Sequence, residues 1–261
     1  MDEYINQIIN ADCLDILRQL PDKCIDLVLT DPPYGTTSCK WDSVIPFEPM
    51  WRELKRLIKD NGAICLFGAE PFSSALRMSN LEMFKYDWIW VKNNAVGFVN
   101  AKLKPMNKHE IISVFSRGKT SNGNRNNMVY YPQGLEPFGK ITRSGNKKSK
   151  DNTYYRPSQT SVTTGVYQEF TNYPTTVLNF AKENNAIHPT QKPVKLMEYL
   201  IRTYTQENEI VLDFCSGSGT TAVACHNLQR RFICIEKDPD YWAASVKRLE
   251  EIQKQGVLNL W

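Results

Sequence analysis

The chain has 261 residues, 41% of them hydrophobic, and a formal net charge of +4, which suits one large domain, or a domain with an insertion, built on a proper core. It has no run of 18 apolar residues and no signal-peptide pattern, which excludes a helical membrane span and predicts a soluble, cytoplasmic protein with no membrane partner. Seven cysteines without a Cys-x-x-Cys pair read as reduced thiols, and three histidines without ligand spacing predict no metal site.

Hydrophobic periodicity predicts a strand over Tyr4–Ile9, a helix over Leu14–Leu20 and a strand over Ile25–Thr30. The second strand stops at Asp31-Pro32-Pro33-Tyr34, where two prolines forbid its continuation. A carboxylate, two carbonyls on residues without N–H donors and an aromatic ring are thereby held at a strand's carboxyl edge. That edge is where open α/β sheets bind ligands. The set suits a planar group bearing an amine. Asp31 can accept one amine hydrogen and the Pro32 carbonyl the other, while the Tyr34 ring stacks on the plane. The alternative is an Asp-Pro turn beside a core tyrosine.

Helices are predicted over Phe47–Ile58 and Pro71–Met78, with Pro71 in a first turn, and strands over Ala63–Phe67, Tyr86–Val91 and Ile111–Phe115. Between Lys92 and Lys150 stand nine Lys and three Arg against Glu110 and Glu136 alone, a balance suited to a polyanion or to a solvated loop. Residues 119–185 are rich in Asn, Ser, Thr, Gly and Tyr with weak periodicity, and loops of that length are functional or disordered.

The C-terminal part returns to strong periodicity. A helix over Val194–Tyr204 is followed by a strand over Ile210–Phe214, a turn Gly217-Ser218-Gly219, and a helix over Thr220–Leu228. A strand over Arg231–Glu236 and a helix over Pro239–Gln255 complete the pattern. The glycines let backbone approach a ligand, and the helix start offers free N–H groups. Glu236, one strand on, is placed to take ribose hydroxyls. A dinucleotide fingerprint competes, but Ala222 stands where its third glycine belongs. Strands alternating with helices predict a mostly parallel sheet.

Together, Asp31-Pro-Pro-Tyr34 and Asp213-Phe-Cys-Ser-Gly-Ser-Gly-Thr220 resemble the catalytic and cofactor motifs of the DNA amino-methyltransferases that use S-adenosylmethionine. The catalytic motif comes first, about 180 residues ahead of the other, which resembles the beta group of that family. Asn10-Ala-Asp12-Cys13, the stretch Lys92 to Gly118 and His188-Pro-Thr-Gln-Lys-Pro193 also resemble family segments. The resemblance covers nearly the whole chain except about 119–185.

The resemblance implies a Rossmann-like class I α/β fold. Its sheet would be seven-stranded, mostly parallel, with one antiparallel strand near an edge, in circularly permuted order. A catalytic half would span 1–118, a target-recognition insertion 119–185 and a cofactor half 186–261. The implied catalytic residues are Asp31, Pro32, Pro33 and Tyr34. Phe214, Ser216, Gly217, Ser218, Gly219 and Thr220 would cradle S-adenosylmethionine. Glu236 would take its ribose, with Lys237 beside it, and Asp12 its adenine amine, with Cys13 beside it. His188, Thr190, Gln191 and Lys192 would lie over its tail, and Asp31 would meet its ammonium. Asp213 as a capping acid, His188 as a turn residue and Lys192 as an exposed helix-start lysine are the structural alternatives. Lys102, Arg117, Lys119, Arg125, Arg143, Lys147, Lys148 and Arg156 are the expected DNA contacts. Double-stranded DNA is the implied partner, with a homodimer and a cognate restriction endonuclease as further ones. Asp rather than Ser at position 31 resembles the adenine-N6 enzymes; cytosine-N4 methylation and a silent DNA-binding protein are the alternatives.

Overall fold

The structure is a computed structural model and describes residues 1–36, 42–121, 124–142, 166–183, 187 and 191–258. In chain order the elements are β1 (Gln7–Asn10), α1 (Cys13–Leu17), β2 (Ile25–Thr30), α2 (Phe47–Leu57), β3 (Ile58–Gly68), α3 (Phe72–Met78), β4 (Phe84–Val96) and β5 (Asn107–Phe115). They continue as β6 (Glu136–Thr142), β7 (Val166–Thr171), β8 (Val177–Asn179), α4 (Val194–Tyr204), β9 (Ile210–Asp213), α5 (Thr220–Asn227), β10 (Arg231–Glu236) and α6 (Pro239–Leu258). The chain divides into two compact units, one of Met1–Tyr131 with Thr176–Trp261, the other of Pro132–Thr175. In the second unit, β6 and β7 pair as an antiparallel ribbon.

The first unit holds a sheet in the order β1-β10-β9-β2-β3-β5-β4-β8. Its neighbours pair in parallel except around β5, which runs antiparallel to both β3 and β4. Every residue of β2 and β9 is buried, as expected of parallel strands covered on both faces. Alternate residues serve opposite faces. Leu27 and Leu29 pack with α4, α5 and Leu249 of α6, whereas Val28 packs with α1, α2 and α3, joined there by Ile25 across a register shift between Ile25 and Leu27. In α2 the buried Met50, Trp51, Leu54 and Leu57 form one stripe, with Glu48 in the first turn and Lys55 and Arg56 in the last, matching the helix dipole.

Between β9 and β2 the topology reverses, since β9 leads outward to β10 and β2 leads the other way to β3. Buried polar groups fasten this seam at both ends. At one end Asp26 Oδ2 accepts the Ile210 N–H at 2.9 Å, with Lys59 Nζ on Asp26 Oδ1 at 2.6 Å. At the other, Thr30 Oγ1 donates to Asp213 Oδ1 and accepts the Phe214 N–H, both at 3.1 Å.

The predicted α/β sheet, mostly parallel with one antiparallel strand, is present, and its eighth strand is the short β8 on the outside of β4. The predicted Tyr4–Ile9 strand begins only at Gln7, because residues 2–4 form a 3₁₀ turn and Asn6 sits at φ +59°. The predicted Leu14–Leu20 helix runs Cys13–Leu17. Pro71 caps α3 rather than entering it. Cys65, Cys225 and Cys234 are buried free thiols.

Candidate active site

The segment Asp31–Tyr34 leaves the carboxyl end of β2 at the reversal point. Tyr34 turns back onto its own motif: its hydroxyl donates to Asp31 Oδ1, and its ring stacks on Phe72 with centroids 5.1 Å apart. The other oxygen, Asp31 Oδ2, accepts a hydrogen bond from Lys192 Nζ. Strand β8 explains how a residue 161 positions away arrives there. It runs along β4 toward this same edge, and Lys182 N–H then donates to Asn93 Oδ1 at 3.3 Å. Lys192 is buried, not exposed at a helix start, and its ammonium lies 5.0 Å above the Phe67 ring.

The ion pairs extend inward. Lys192 Nζ lies 3.3 Å from Glu110 Oε2, and Glu110 Oε1 pairs with Lys92 Nζ. Asp31, Lys192, Glu110 and Lys92 form a chain of alternating charge brought together from β2, the α4 entrance, β5 and β4. Burial raises the Asp31 carboxyl above its ordinary value, although Lys192 pulls the other way. Burial pushes the Glu110 carboxyl up too, but Lys192 and Lys92 outweigh it and hold Glu110 below its ordinary value. Burial pushes Lys192 down, and the two carboxylates more than offset that. In the sequence Lys92 and Glu110 were legible as members of a basic stretch that resembles the family, with no sign that they are buried partners.

On the β9 side the chain turns through Gly217 at φ +49° and Gly219 at φ +70° into α5. A Cβ on Gly219 would stand 2.9 Å from Ser245 Cβ, so both the conformation and the packing call for glycine. Glu236, at the end of β10, accepts the Gly217 N–H at 2.7 Å and the Asp238 N–H at 2.8 Å, and burial raises its carboxyl above the ordinary value. Asp12 caps α1 through the Leu14 N–H at 3.0 Å and pairs with the exposed Lys237 at 3.0 Å. The Cys215 thiol bonds the Cys13 sulfur, which lowers Cys13 and pushes Cys215 well above the ordinary thiol value. Asp213 faces inward, held by Thr221, Thr30 and the Cys215 N–H, and burial pushes it up to about 7.

One cleft of about 590 Å³ joins the two sides. Its wall includes Asp31, Pro32, Pro33, Tyr34, Asp12, Cys13, Gln191, Lys192, Phe214, Ser216, Gly217, Ser218, Thr220, Glu236 and Lys237. Gly219 lies just behind it, against Ser245 and Ile8. Gln191 holds the α4 entrance together, accepting the Ile187 N–H and donating to Glu183. Glu183, which belongs to none of the sequence motifs, also accepts the Val194 N–H at 2.8 Å and meets Arg248 at 3.3 Å. His188 and Thr190 lie outside the described residues.

The cleft fits an adenosyl cofactor carrying an amino-acid tail. Ser216 Oγ is buried with no partner among the described residues, the start of α5 presents N–H groups, and Glu236 and Asp12 supply acceptors at the far end. The expected DNA contacts are placed less uniformly. Lys102 is exposed on the β4–β5 connection, which leaves the sheet at the edge that carries Asp31. Arg117 and Lys119 follow β5 to the opposite edge, where Arg117 donates to the Lys55 carbonyl at 2.6 Å and Lys119 N–H to the Asn126 carbonyl at 2.8 Å. Arg125 belongs to the same exposed turn. Arg143, Lys147, Lys148 and Arg156 lie outside the described residues. Among the described residues no helix is long and apolar enough to cross a membrane.

Comparison with known proteins agrees with this geometry. A family profile described as DNA methylase, of the N6/N4 methyltransferases, matches residues 25–247. The type II methyltransferase M1.MboII of Moraxella bovis is 29% identical over 253 residues, spanning 91% of this chain and 94% of its own. M.HinfI of Haemophilus influenzae is 26% identical over 282 residues, spanning 97% and 70%. The crystal structure of the M1.HpyAVI–SAM complex is 27% identical with a TM-score of 0.61, covering 93% of this chain and 99% of that one. The cytosine-N4-specific PvuII DNA methyltransferase, 18% identical with a TM-score of 0.64 over 92% of this chain and 84% of its own, shares the fold. The chain belongs to the DNA methylase family of N6/N4 methyltransferases, α/β enzymes of the class I methyltransferase fold that methylate DNA with S-adenosylmethionine.

Proposed function

We propose that this methyltransferase acts on the N6 amine of adenine in duplex DNA, at a specific site, with Asp31, Pro32, Pro33 and Tyr34 as its catalytic segment. One observation carries the reading: the Asp31 segment and the Phe214–Thr220 turn, far apart in sequence, wall the same cleft at the reversal point of the sheet. An aryl amine is a weak nucleophile because its lone pair is delocalised into the ring. Asp31 and the Pro32 carbonyl would hold its two hydrogens, draw the nitrogen toward tetrahedral geometry and localise the pair. Bound S-adenosylmethionine supplies an electrophilic methyl on sulfonium. The methylated amine would be cationic, with S-adenosylhomocysteine as the leaving group, and the Asp31 carboxylate in the cleft wall would take the proton it releases. This is catalysis by position and electrostatics.

The target base must leave the helix to reach the cleft, at a cost of a few kcal/mol. Stacking on Tyr34 returns about 1–3 kcal/mol. Tyr34 already presents its ring in a stack with Phe72, which supports that role. We assign the cofactor contacts to Asp12, Cys13, the turn Phe214–Thr220, Glu236 and Lys237, with His188, Thr190, Gln191 and Lys192 at the tail. Target recognition falls to the 119–185 region, with Lys102 and the basic residues of that region on phosphates and base edges. A homodimer and a cognate restriction endonuclease belong to the same reading. Adenine is favoured over cytosine by Asp at position 31.

Single-molecule sequencing of DNA from a methylation-free host expressing the chain, beside its Asp31→Ala variant, tests this. N6-methyladenine at one short motif, absent in the variant, is the expected result. Methylcytosine instead would overturn the base, and an active Asp31→Ala enzyme would overturn the site.

A further inference from the structure

Asp31 as it stands is not ready for its amine. Its Oδ1 is taken by the Tyr34 hydroxyl and its Oδ2 by the Lys192 ammonium. Each oxygen can accept a second hydrogen bond, so a base amine that binds there competes with one of these donors. The lysine is the stronger competitor, because an ammonium only 6% exposed holds its carboxylate partner with little screening by water.

The structure holds a second place for that cation. Glu110 Oε1 is paired with Lys92, but Glu110 Oε2 is buried, lies 3.3 Å from Lys192 Nζ and accepts no aligned hydrogen bond among the described residues. A small displacement of the ammonium would complete that bond and clear Asp31 Oδ2. The phenyl face of Phe67 borders the ammonium at 5.0 Å, a surface over which a cation can shift without losing all contact. The four charges sum to zero before and after, so nothing is left uncompensated.

We propose that Lys192 is a two-position cation: it closes Asp31 while no base is bound and transfers to Glu110 when the target amine takes its place. Glu110 is then a positioning residue that acts through Lys192. This rests on Asp31 being the acceptor of the amine. The charged and titratable groups around the pair are Tyr34 and Asp42 near the β2 end, Lys92 on β4, Glu110 on β5, Lys182 after β8 and Asp213 at the end of β9. Asp31, Glu110 and Lys192 are the members whose pairing changes.

The test is single-turnover methyl transfer by Glu110→Gln across pH 6.5–9.5, beside the wild type, with S-adenosylmethionine affinity measured separately. The variant should bind the cofactor normally. At pH 7 it should transfer the methyl about 10- to 100-fold more slowly, the usual cost of losing an outer partner that orients a site group. In the variant the lysine loses one of its two carboxylate partners and its pKa falls, so its deprotonation frees the carboxylate. The deficit should therefore shrink as pH rises, and Glu110→Asp should restore most of the rate. A normal rate in Glu110→Gln, or a deficit of the same factor at every pH, overturns the proposal. If Glu110→Gln does not fold, the wild-type crystal structure with target duplex and S-adenosylhomocysteine decides. Lys192 Nζ nearer Glu110 than Asp31 supports the transfer, and Lys192 still on Asp31 beside a bound amine overturns it. A wild type that methylates no DNA removes the parent reading and this one with it, an outcome separate from a variant that matches an active wild type.

Discussion

Thr30 and Asp213 stand 183 residues apart in sequence and meet through one buried hydrogen bond of 3.1 Å. The same hydroxyl accepts the Phe214 N–H, so one oxygen joins the strand that ends in the Asp31 motif to the strand that ends in the glycine turn. Thr30→Val keeps the shape and removes both bonds. It leaves a buried N–H without its acceptor, at a cost of about 1–3 kcal/mol in denaturant unfolding. Unchanged stability would mean that the joint is held by packing alone.

Glu236 is expected to set cofactor affinity. Replacing it by Ala removes the carboxylate assigned to the ribose and frees the Gly217 and Asp238 N–H groups that hold the turn. Calorimetric titration of S-adenosylmethionine should show binding weakened about 10- to 100-fold, as for a hydrogen bond to a charged group. Equal affinity in Glu236→Ala would remove Glu236 from the site.

Asp213 should make stability fall as pH rises. Its folded value of about 7 lies above its ordinary 3.8, so the folded state holds the proton more tightly than the unfolded chain. The resulting penalty is absent below the ordinary value, grows through the window between the two and is complete above 7. Asp213→Asn carries no such dependence. Its stability relative to wild type should rise across that window by up to about 4 kcal/mol and then level off. A flat difference between pH 4 and 8 in urea unfolding would show that Asp213 is ionised throughout.

Cys13 should be the most readily alkylated of the described cysteines. The Cys215 thiol lowers it, while Cys24 and Cys215 are raised, and reactivity follows the thiolate. Peptide mapping after brief iodoacetamide treatment should find Cys13 modified first, and S-adenosylmethionine should protect it. Faster labelling at Cys24 would contradict this ordering.

Much of this architecture was legible in the chain because local patterning and tertiary demand agree. Ile25–Thr30, Val194–Tyr204 and Arg231–Glu236 are observed with the bounds that periodicity and the flanking Pro, Gly and acidic residues assign them. Strand β8 escaped because three residues carry no period. The charge chain escaped for a different reason. Composition counts Lys92 and Glu110 as basic-loop residues, and burial is a property of the assembled sheet. The available signal was weak: Glu110 is the single acid among the charges from Lys92 to Lys119 and stands at the head of the apolar run Ile111–Phe115. Residues held far apart in sequence, such as Lys192 and Asp31, become partners only through a strand order that no local rule specifies.

The Pro132–Thr175 unit leaves and rejoins its host at two backbone joints. The Tyr131 N–H bonds the Thr203 carbonyl, and the Ile89 N–H bonds the Thr176 carbonyl, each at 2.8 Å. Both joints are closed by main-chain atoms, which any side chain supplies equally well. These bonds therefore place no demand on the side chains of the intervening stretch. Doubling its length adds only about 0.6 kcal/mol of closure entropy. A change of sequence or length between the two joints leaves both of these bonds in place.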